Sequence, residues 1–415
     1  MLLTLDEALA QVAGLAALLV PSQDVQTVRL FRATGRVLAA DVCADRDQPP
    51  FHRSTRDGFA VRSEDVQGSG PVVLSCLGEL PAGKVFGETV GQGQCVEIMT
   101  GAPLPSGTDA VVMVEYSRWV QGEAHRSIGS VELSREAHAG DNVVPCGAEA
   151  HKGDVVLAAG RRLDAASIAL LASVGQVQVQ VFCPPRVAVL TTGDEVVPAE
   201  QSPASHQIRN SNEFLLASAI ERAGGEPLPQ PPAADDPETL RGALTAALRC
   251  DLVVMTGGVS KGKHDHVKEV LASLGAVIVF AGVAIRPGKP VVLAHISFEG
   301  RLVPILGLPG NPLSALVTFS LFGRSLLARL AGEAQTALRL LYLPLARSFA
   351  WRPLEFTAFV PGTISGESGQ TAVTLMGSQG SGDLVAAAQA DVFACIPAQS
   401  VGPAVGQTVA LLLKP

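Results

Sequence analysis

Between residues 187 and 308 the chain alternates short, wholly apolar runs with amphipathic stretches. "VAVLT" (187–191), "DLVVMT" (251–256), "AVIVF", "PVVLA" and "LVPILG" read as buried strands. The stretches between them carry helix signals. Asn212–Ala223 is closed by Gly224–Gly225, and Asp236–Pro237 offers an acidic N-cap with proline at N1. Further helices are expected from about Asp265 to Leu274 and from Asn311–Pro312 to about Ala331. The pattern predicts a layered α/β domain with a largely parallel sheet.

The flanking regions have other patterns. Residues 1–45 read as a helix opened by a Thr4/Glu7 capping box, a loop at Pro21–Asp24, and a second helix-and-strand unit ending in "GRVLAADV". After a joint at Pro49–Pro50, short Val-rich strands cut by glycines run to about Gly140: "GPVVL", "GQCVEIM", "DAVVMVE" and "GSVEL". These predict a small β domain. Residues 141–180 are mixed, with a helix at Asp164–Val174 and a strand at 177–181, and Cys183–Pro185 is a linker. From about Leu340 the text is strands and turns, read as a small β-barrel or sandwich.

Composition narrows the picture. A chain of 415 residues exceeds a single core, and 47% apolar content is ample for several. Aromatics are only 4%, so the cores rest on Val, Leu, Ala and Ile. A formal charge of −8 argues against nucleic acid or an anionic membrane as partner. Seven widely spaced cysteines without a Cys-x-x-Cys pair indicate neither a zinc ribbon nor a disulfide framework. With no signal-peptide pattern at the start and no run of 18 apolar residues, a cytoplasmic protein is expected.

In open α/β sheets ligands bind beyond the carboxyl ends of the strands. Four loops leave strand ends here: Thr192-Gly193-Asp194-Glu195; Thr256-Gly257-Gly258-Val259-Ser260 with Asp265 after it; Arg286-Pro287-Gly288-Lys289-Pro290; and Leu308-Pro309-Gly310-Asn311-Pro312 with Ser314 one turn into a helix. Adjacent glycines let backbone N–H groups approach a phosphate. Arg286 and Lys289 suit an oxyanion, and Glu195 and Asp265 suit a divalent metal with oxygen ligands. Together they predict metal-assisted phosphate chemistry. Any one loop alone reads more readily as an ordinary turn than as a site; the set of four on one sheet edge carries the argument. His264 and His266 read as solvated helix-start residues, and Trp119 and Trp351 as packing or surface residues. "STRDGFA" (54–60) and "MTGAP" (99–103) read alone as turns.

In order, "GRVLAADV", "STRDGFAVR", "IMTGAPLP", "AVVMVE", "TTGDE", "IRNSN", "DDPETL", "TGGVSKGKHDHVK", "AIRPGKP" and "GLPGNPLSA" resemble the MoeA family, the molybdopterin molybdenumtransferases, including the E domain of gephyrin. The resemblance runs nearly end to end. It implies a discontinuous N-terminal domain (1–48 and 141–181), an inserted β domain (49–140), a central three-layer α/β/α domain of the molybdopterin-binding type (182–331) and a C-terminal β-barrel (332–415). It further implies a homodimer whose active site lies between protomers, with the preceding molybdopterin adenylyltransferase and the receiving molybdoenzymes as partners. The implied reaction is insertion of molybdate into adenylylated molybdopterin with Mg2+-assisted release of AMP. By motif match the catalytic positions are Asp57, Thr100, Glu195, Asp236 and Asp265, with Glu195 and Asp265 on the metal. The binding positions are Gly193, Asp194, Gly257, Gly258, Ser260, Arg286, Lys289, Pro290, Pro309, Gly310, Asn311, Ser314 and Ser381.

Departures from the family pattern accompany the match. Where many members carry an arginine-rich run before Gly-Glu-Asp, this chain has Val144-Pro145-Cys146-Gly147-Ala148-Glu149. Where members often show Phe-x-Arg, it has Phe356-Thr357-Ala358, with Arg352 four residues before Phe356. Arg286 stands where lysine is usual. Two alternatives follow: a divergent paralogue that binds or delivers the cofactor without efficient transfer, and a gephyrin-like scaffold.

Overall fold

The computed structural model describes residues 2–22, 24–68, 70–123, 128–234, 236–258, 266–366 and 370–415. The chain forms two compact units, one of 1–40, 159–165 and 178–415, the other of 41–158 and 166–177. The N-terminal domain expected from the sequence (1–48 and 141–181) is divided between these two units.

The second unit is built on a six-stranded mixed sheet, in the order Ala110–Met113, Gly58–Val61, Gln94–Ile98, Val72–Leu80, Ile128–Leu133, Ser117–Glu123. Four of its strands are the Val-rich runs of the sequence; Gly58–Val61, overlapping the stretch read alone as a turn, and Ser117–Glu123 are the other two. Phe59, Val61, Leu74 and Val112 form one core, and Ala60, Val96, Ile98 and Val111 another, as the side-chain alternation of a strand requires. Trp119 packs edge-on against Phe59 with centroids 5.9 Å apart, a packing role as expected.

The first unit opens with helix Leu5–Leu18, capped reciprocally by Thr4 and Glu7. The expected second helix is a single 3-10 turn, Leu30–Arg32, following strand Val25–Arg29. That strand pairs antiparallel with Gln178–Phe182, joining the chain before and after the second unit. All seven cysteines are free.

The main sheet of this unit has strands β1 (Arg186–Thr191), β2 (Glu226–Pro229), β3 (Leu252–Thr256), β4 (Val277–Ala281), β5 (Val292–Phe298) and β6 (Arg301–Leu308). Their order is β2-β1-β3-β6-β5-β4; the first four run parallel, and β5 alone is reversed, pairing antiparallel with both β6 and β4. Helix Ser211–Arg222 contributes Leu216 and Ile220 to the core holding Val187, Val189 and Val254. Helices Pro237–Ala247 and Val267–Ser273 contribute Leu240, Leu244 and Val270 to the core holding Ala188, Leu190 and Val253. The loops after β1 and β3 therefore depart to opposite faces, which opens a crevice at their carboxyl ends.

Residues Pro312–Leu330 form one helix whose Phe319–Gly323 segment winds as a π-turn. By length and composition it is able to cross a membrane, but it is 78% buried as a core helix. A second sheet follows the order Ile285–Arg286, Thr357–Ser365, Val392–Ile396, Thr408–Leu413, Leu340–Pro344, with Ala372–Leu375 also on Thr357–Ser365. A single bridge, Leu345 to Val373, links Ala372–Leu375 to the end of Leu340–Pro344. The pairing of Ile285–Arg286 with Thr357–Ala358 carries the basic loop onto this sheet.

Candidate active site

Two asparagines staple the strand ends together. Asn210, the N-cap of helix Ser211–Arg222, donates through Nδ2 to Thr191 Oγ1 at 3.0 Å and to Glu213 Oε2 at 2.9 Å. Asn212 Nδ2 donates to Thr256 Oγ1 at 3.0 Å and to the Gly310 carbonyl at 2.6 Å. Thr256 Oγ1 in turn donates to the Pro309 carbonyl at 3.1 Å. The ends of β1, β3 and β6 are thus fixed by a buried network, which holds better than separate surface contacts.

These ends enclose a crevice of about 280 Å³ lined by Gly193, Glu195, Gly257, Gly258, Gly310 and Asn311 along with Thr192 and Asn212. Gly257 has φ +96°, and a Cβ there would lie 2.5 Å from the Thr192 carbonyl oxygen, so only glycine fits. Thr192 Oγ1 and Asn212 Oδ1 are buried without a hydrogen-bond partner among the described residues. Buried orphans of this kind are uncommon and each asks for an explanation.

A larger cavity of about 880 Å³ adjoins it, and Asn311 lines both. One side carries Arg286, Lys289, Pro290, Pro309, Ser314 and Ser381. The other is apolar, with Phe349, Trp351, Leu354, Phe356 and Met376. Gly288, at φ +112°, lets the basic loop press on Thr318, whose Cγ2 a Cβ would meet at 2.4 Å. Asn311 Nδ2 donates to Ser381 Oγ at 2.8 Å, and the Ser314 N–H donates to the Ser381 carbonyl at 3.3 Å. Asn311 therefore does not cap its helix by a side-chain bond; it ties the helix to the Ser381 turn. Asp383 holds that turn by accepting from the N–H groups of Gln379 and Ala386.

The expected residues thus divide between two adjoining cavities. Asp194 is exposed and lines neither. Ser260 and Asp265 lie outside the described residues. Asp236 also lines neither cavity. Its Oδ1 accepts from Glu238 N at 3.1 Å and Thr239 N at 2.9 Å as the N-cap of Pro237–Ala247. Hydrogen bonds from Thr239, side chain first, hold its carboxyl below the ordinary carboxylate range.

In the other unit, Asp57 Oδ1 accepts from the Thr100 N–H at 2.6 Å and the Thr100 hydroxyl at 2.7 Å. Both residues are exposed. The Thr100 N–H, then its hydroxyl, lowers the Asp57 carboxyl below its usual range.

Three family descriptions match the chain in sequence: "MoeA N-terminal region (domain I and II)" over residues 3–175, "Probable molybdopterin binding domain" over 188–329, and "MoeA C-terminal region (domain IV)" over 343–414. A curated molybdopterin molybdenumtransferase of Staphylococcus aureus (strain COL) is 31% identical over 391 residues, covering 93% of this chain and 90% of the relative. The chain belongs to the MoeA family. A molybdopterin molybdenumtransferase of Nostoc sp. is 38% identical, over 75% of this chain and 71% of that one. Two crystal structures of the molybdopterin biosynthesis moeA protein from Pyrococcus align over the whole chain, with TM-scores of 0.76 at 27% identity and 0.69 at 30%.

For this MoeA-family chain, the strand-end loops beginning at Thr192 and Thr256 line the crevice, and sequence reasoning missed Asn210 and Asn212 as crevice residues. The signal was present in "IRNSN", two buried asparagines at a helix start on a strand-end loop. It also left out the cavity wall. Trp351, read as packing or surface, faces the large cavity while its Nε1 donates to the Ser400 carbonyl at 3.0 Å. Ala358 is 3% exposed among Leu345, Val360 and Val373, and Arg352 is exposed and lines neither cavity.

Glu195 is the one carboxylate among the described residues lining the crevice, and no group of three His, Cys, Asp or Glu side chains able to hold a metal occurs among them. A closed all-protein metal cage is therefore not formed by these residues. Glu195 is a hard oxygen ligand of the kind magnesium takes, one or two carboxylates at a time, together with waters and substrate phosphates.

Proposed function

We propose that this protein is a molybdopterin molybdenumtransferase of molybdenum cofactor biosynthesis, inserting molybdate into adenylylated molybdopterin and releasing AMP. The observation that carries the reading is the adjoining pair of cavities, one glycine-lined with Glu195 and one basic with Arg286 and Lys289, which share Asn311. In this reading the loops at Gly193, Gly257 and Gly310 receive the pyrophosphate through backbone N–H groups. Arg286 and Lys289 neutralise the oxometalate, with Ser314, Ser381 and Asn311 hydrogen-bonding its oxygens. Magnesium, held at Glu195, supplies charge neutralisation at the phosphate oxygens. Molybdate joins the two dithiolene sulfurs as one oxo ligand leaves as water with the two thiol protons, and hydrolysis of the phosphoanhydride consumes one water and frees AMP. A cytoplasmic homodimer with its active site between protomers belongs to the same proposal, as do the four-domain division and the adenylyltransferase and molybdoenzyme partners.

A second reading, a cofactor-binding or delivery protein, draws on Ala358, an apolar buried residue where relatives often carry arginine. One assay separates the two. Purified protein receives adenylylated molybdopterin, magnesium and graded molybdate, and AMP is followed. Saturable molybdate-dependent turnover, with KM for molybdate raised about 10- to 100-fold in Arg286→Ala, is expected for the enzyme. Tight cofactor binding without turnover supports delivery, and no binding sinks both.

A further inference from the structure

The basic loop is fixed in its backbone but not in its lysine side chain. The Val283 N–H donates to the Lys289 carbonyl at 3.0 Å, and the Gly282 N–H to the Val291 carbonyl at 2.8 Å. Arg286 is further held by pairing with Ala358. The Lys289 side chain has no such anchor: it is exposed and forms no ion pair among the described residues. Its Nζ lies over the ring of Phe356, 4.8 Å from the centroid. Phe356 is partly buried and immediately precedes strand Thr357–Ser365, so the ring is anchored where the lysine is not.

We propose that Phe356 is a positioning residue for Lys289, its ring face holding the ammonium at the wall of the large cavity ready for an oxyanion. This rests on the reading of that cavity as the oxometalate site. The physical choice of an aromatic face matters. A carboxylate in the same place would also hold the lysine, but it would cancel the charge the anion needs. A ring attracts the ammonium through its quadrupole and leaves the net charge intact. It also leaves most of the three N–H donors free for anion oxygens. Holding a flexible four-carbon stem near its bound position lowers the ordering cost of binding.

The test uses the full chain, with KM for molybdate and kcat read from AMP release and molybdate affinity from calorimetry. Phe356→Leu raises KM and the dissociation constant for molybdate about 3- to 10-fold, with kcat changed less. Phe356→Tyr, which keeps the ring face, restores both. In a Lys289→Ala background, Phe356→Leu adds no further effect. The inference fails if Lys289→Ala weakens molybdate binding while Phe356→Leu does not, or if the two effects simply add. If Lys289→Ala and Arg286→Ala both leave molybdate binding unchanged, the oxyanion reading falls and this inference falls with it. Melting temperatures of the variants separate a folding defect from a binding one, and Phe356→Met provides a second ring-free side chain should leucine pack poorly.

Discussion

Asn311 donates from Nδ2 to Ser381 Oγ at 2.8 Å, and this contact ties the loop after β6 to the turn between strand Ala372–Leu375 and helix Leu384–Gln389. Because Asn311 lines both cavities, the bond couples the crevice to the basic cavity through one side chain. Loss of a neutral hydrogen bond weakens an interaction by roughly 2- to 10-fold. Ser381→Ala is therefore expected to raise KM for molybdate within that range, with little change in melting temperature. Asn311→Ala is expected to raise KM for both molybdate and adenylylated molybdopterin. If Asn311→Ala affects only one substrate, the two cavities do not act as one site.

Ala358 stands where an arginine would complete the family pattern, yet restoring it is not a simple repair. The residue is 3% exposed and packs among Leu345, Val360 and Val373. Ala358→Arg places a guanidinium against an apolar core, and the expected outcome is destabilisation by about 2–4 kcal/mol in denaturant unfolding. Because Ala358 also borders the large cavity, the opposite result is informative. Retained stability with a lower KM for molybdate would show that the longer side chain reaches the anion.

Much of this arrangement was legible in the sequence where the determinants are local. The Thr4/Glu7 capping box and the Asp236–Pro237 helix start formed as expected, since each needs only a few neighbouring residues. Leu30–Arg32 was misread as part of a helix because a short apolar and basic run has no period long enough to separate an α-helix from one 3-10 turn. The glycine loops were found because apolar strands ending in Gly text mark a parallel sheet edge. The aromatic wall was not, because Phe356 meets Lys289 through the pairing of Ile285–Arg286 with Thr357–Ala358, a non-local contact that no periodicity encodes. Asn212 was counted only as a helix start, although its side chain joins β3 to the loop after β6.

Asp236 tests whether a motif position is catalytic or structural. Its carboxylate is occupied as an N-cap, accepting from Glu238 N and Thr239 N. Asp236→Asn, which preserves capping, is expected to leave both the melting temperature and AMP release close to wild type. Asp236→Ala is expected to lower the melting temperature by about 1–3 °C. A large loss of kcat in Asp236→Asn with an unchanged melting temperature would assign it a chemical role beyond the cap.

The Asp57–Thr100 pair gives a pH-dependent expectation. Hydrogen bonds from Thr100 depress the Asp57 carboxyl in the folded state. Folding therefore favours the ionised form, so the stability from this pair is fully present above the ordinary carboxylate pKa. It declines as pH falls through that value and through the lowered folded one. Asp57→Asn is expected to melt below wild type at neutral pH, with the gap closing as the solution is acidified below the carboxylate range. A gap that is constant with pH would show that ionisation of Asp57 contributes nothing to folding.

The proposal that two protomers build each active site is tested by complementation. Asp57 and Glu195 belong to different compact units. Asp57→Ala and Glu195→Ala are each expected to reduce AMP release by at least about 100-fold, since each removes a carboxylate that the family resemblance makes a catalytic position. If one protomer supplies Asp57 and its partner supplies Glu195, a mixed dimer of the two variants contains one site with both residues intact and one site lacking both. Unfolding and refolding an equimolar mixture yields half mixed dimers under random assortment, so activity should recover to roughly a quarter of wild type. If both residues serve the same site from one chain, every site in the mixture lacks one of them and no activity returns. Size-exclusion chromatography with light scattering on the same samples establishes whether the protein is a dimer, and a monomeric, fully active protein would overturn the shared-site proposal directly.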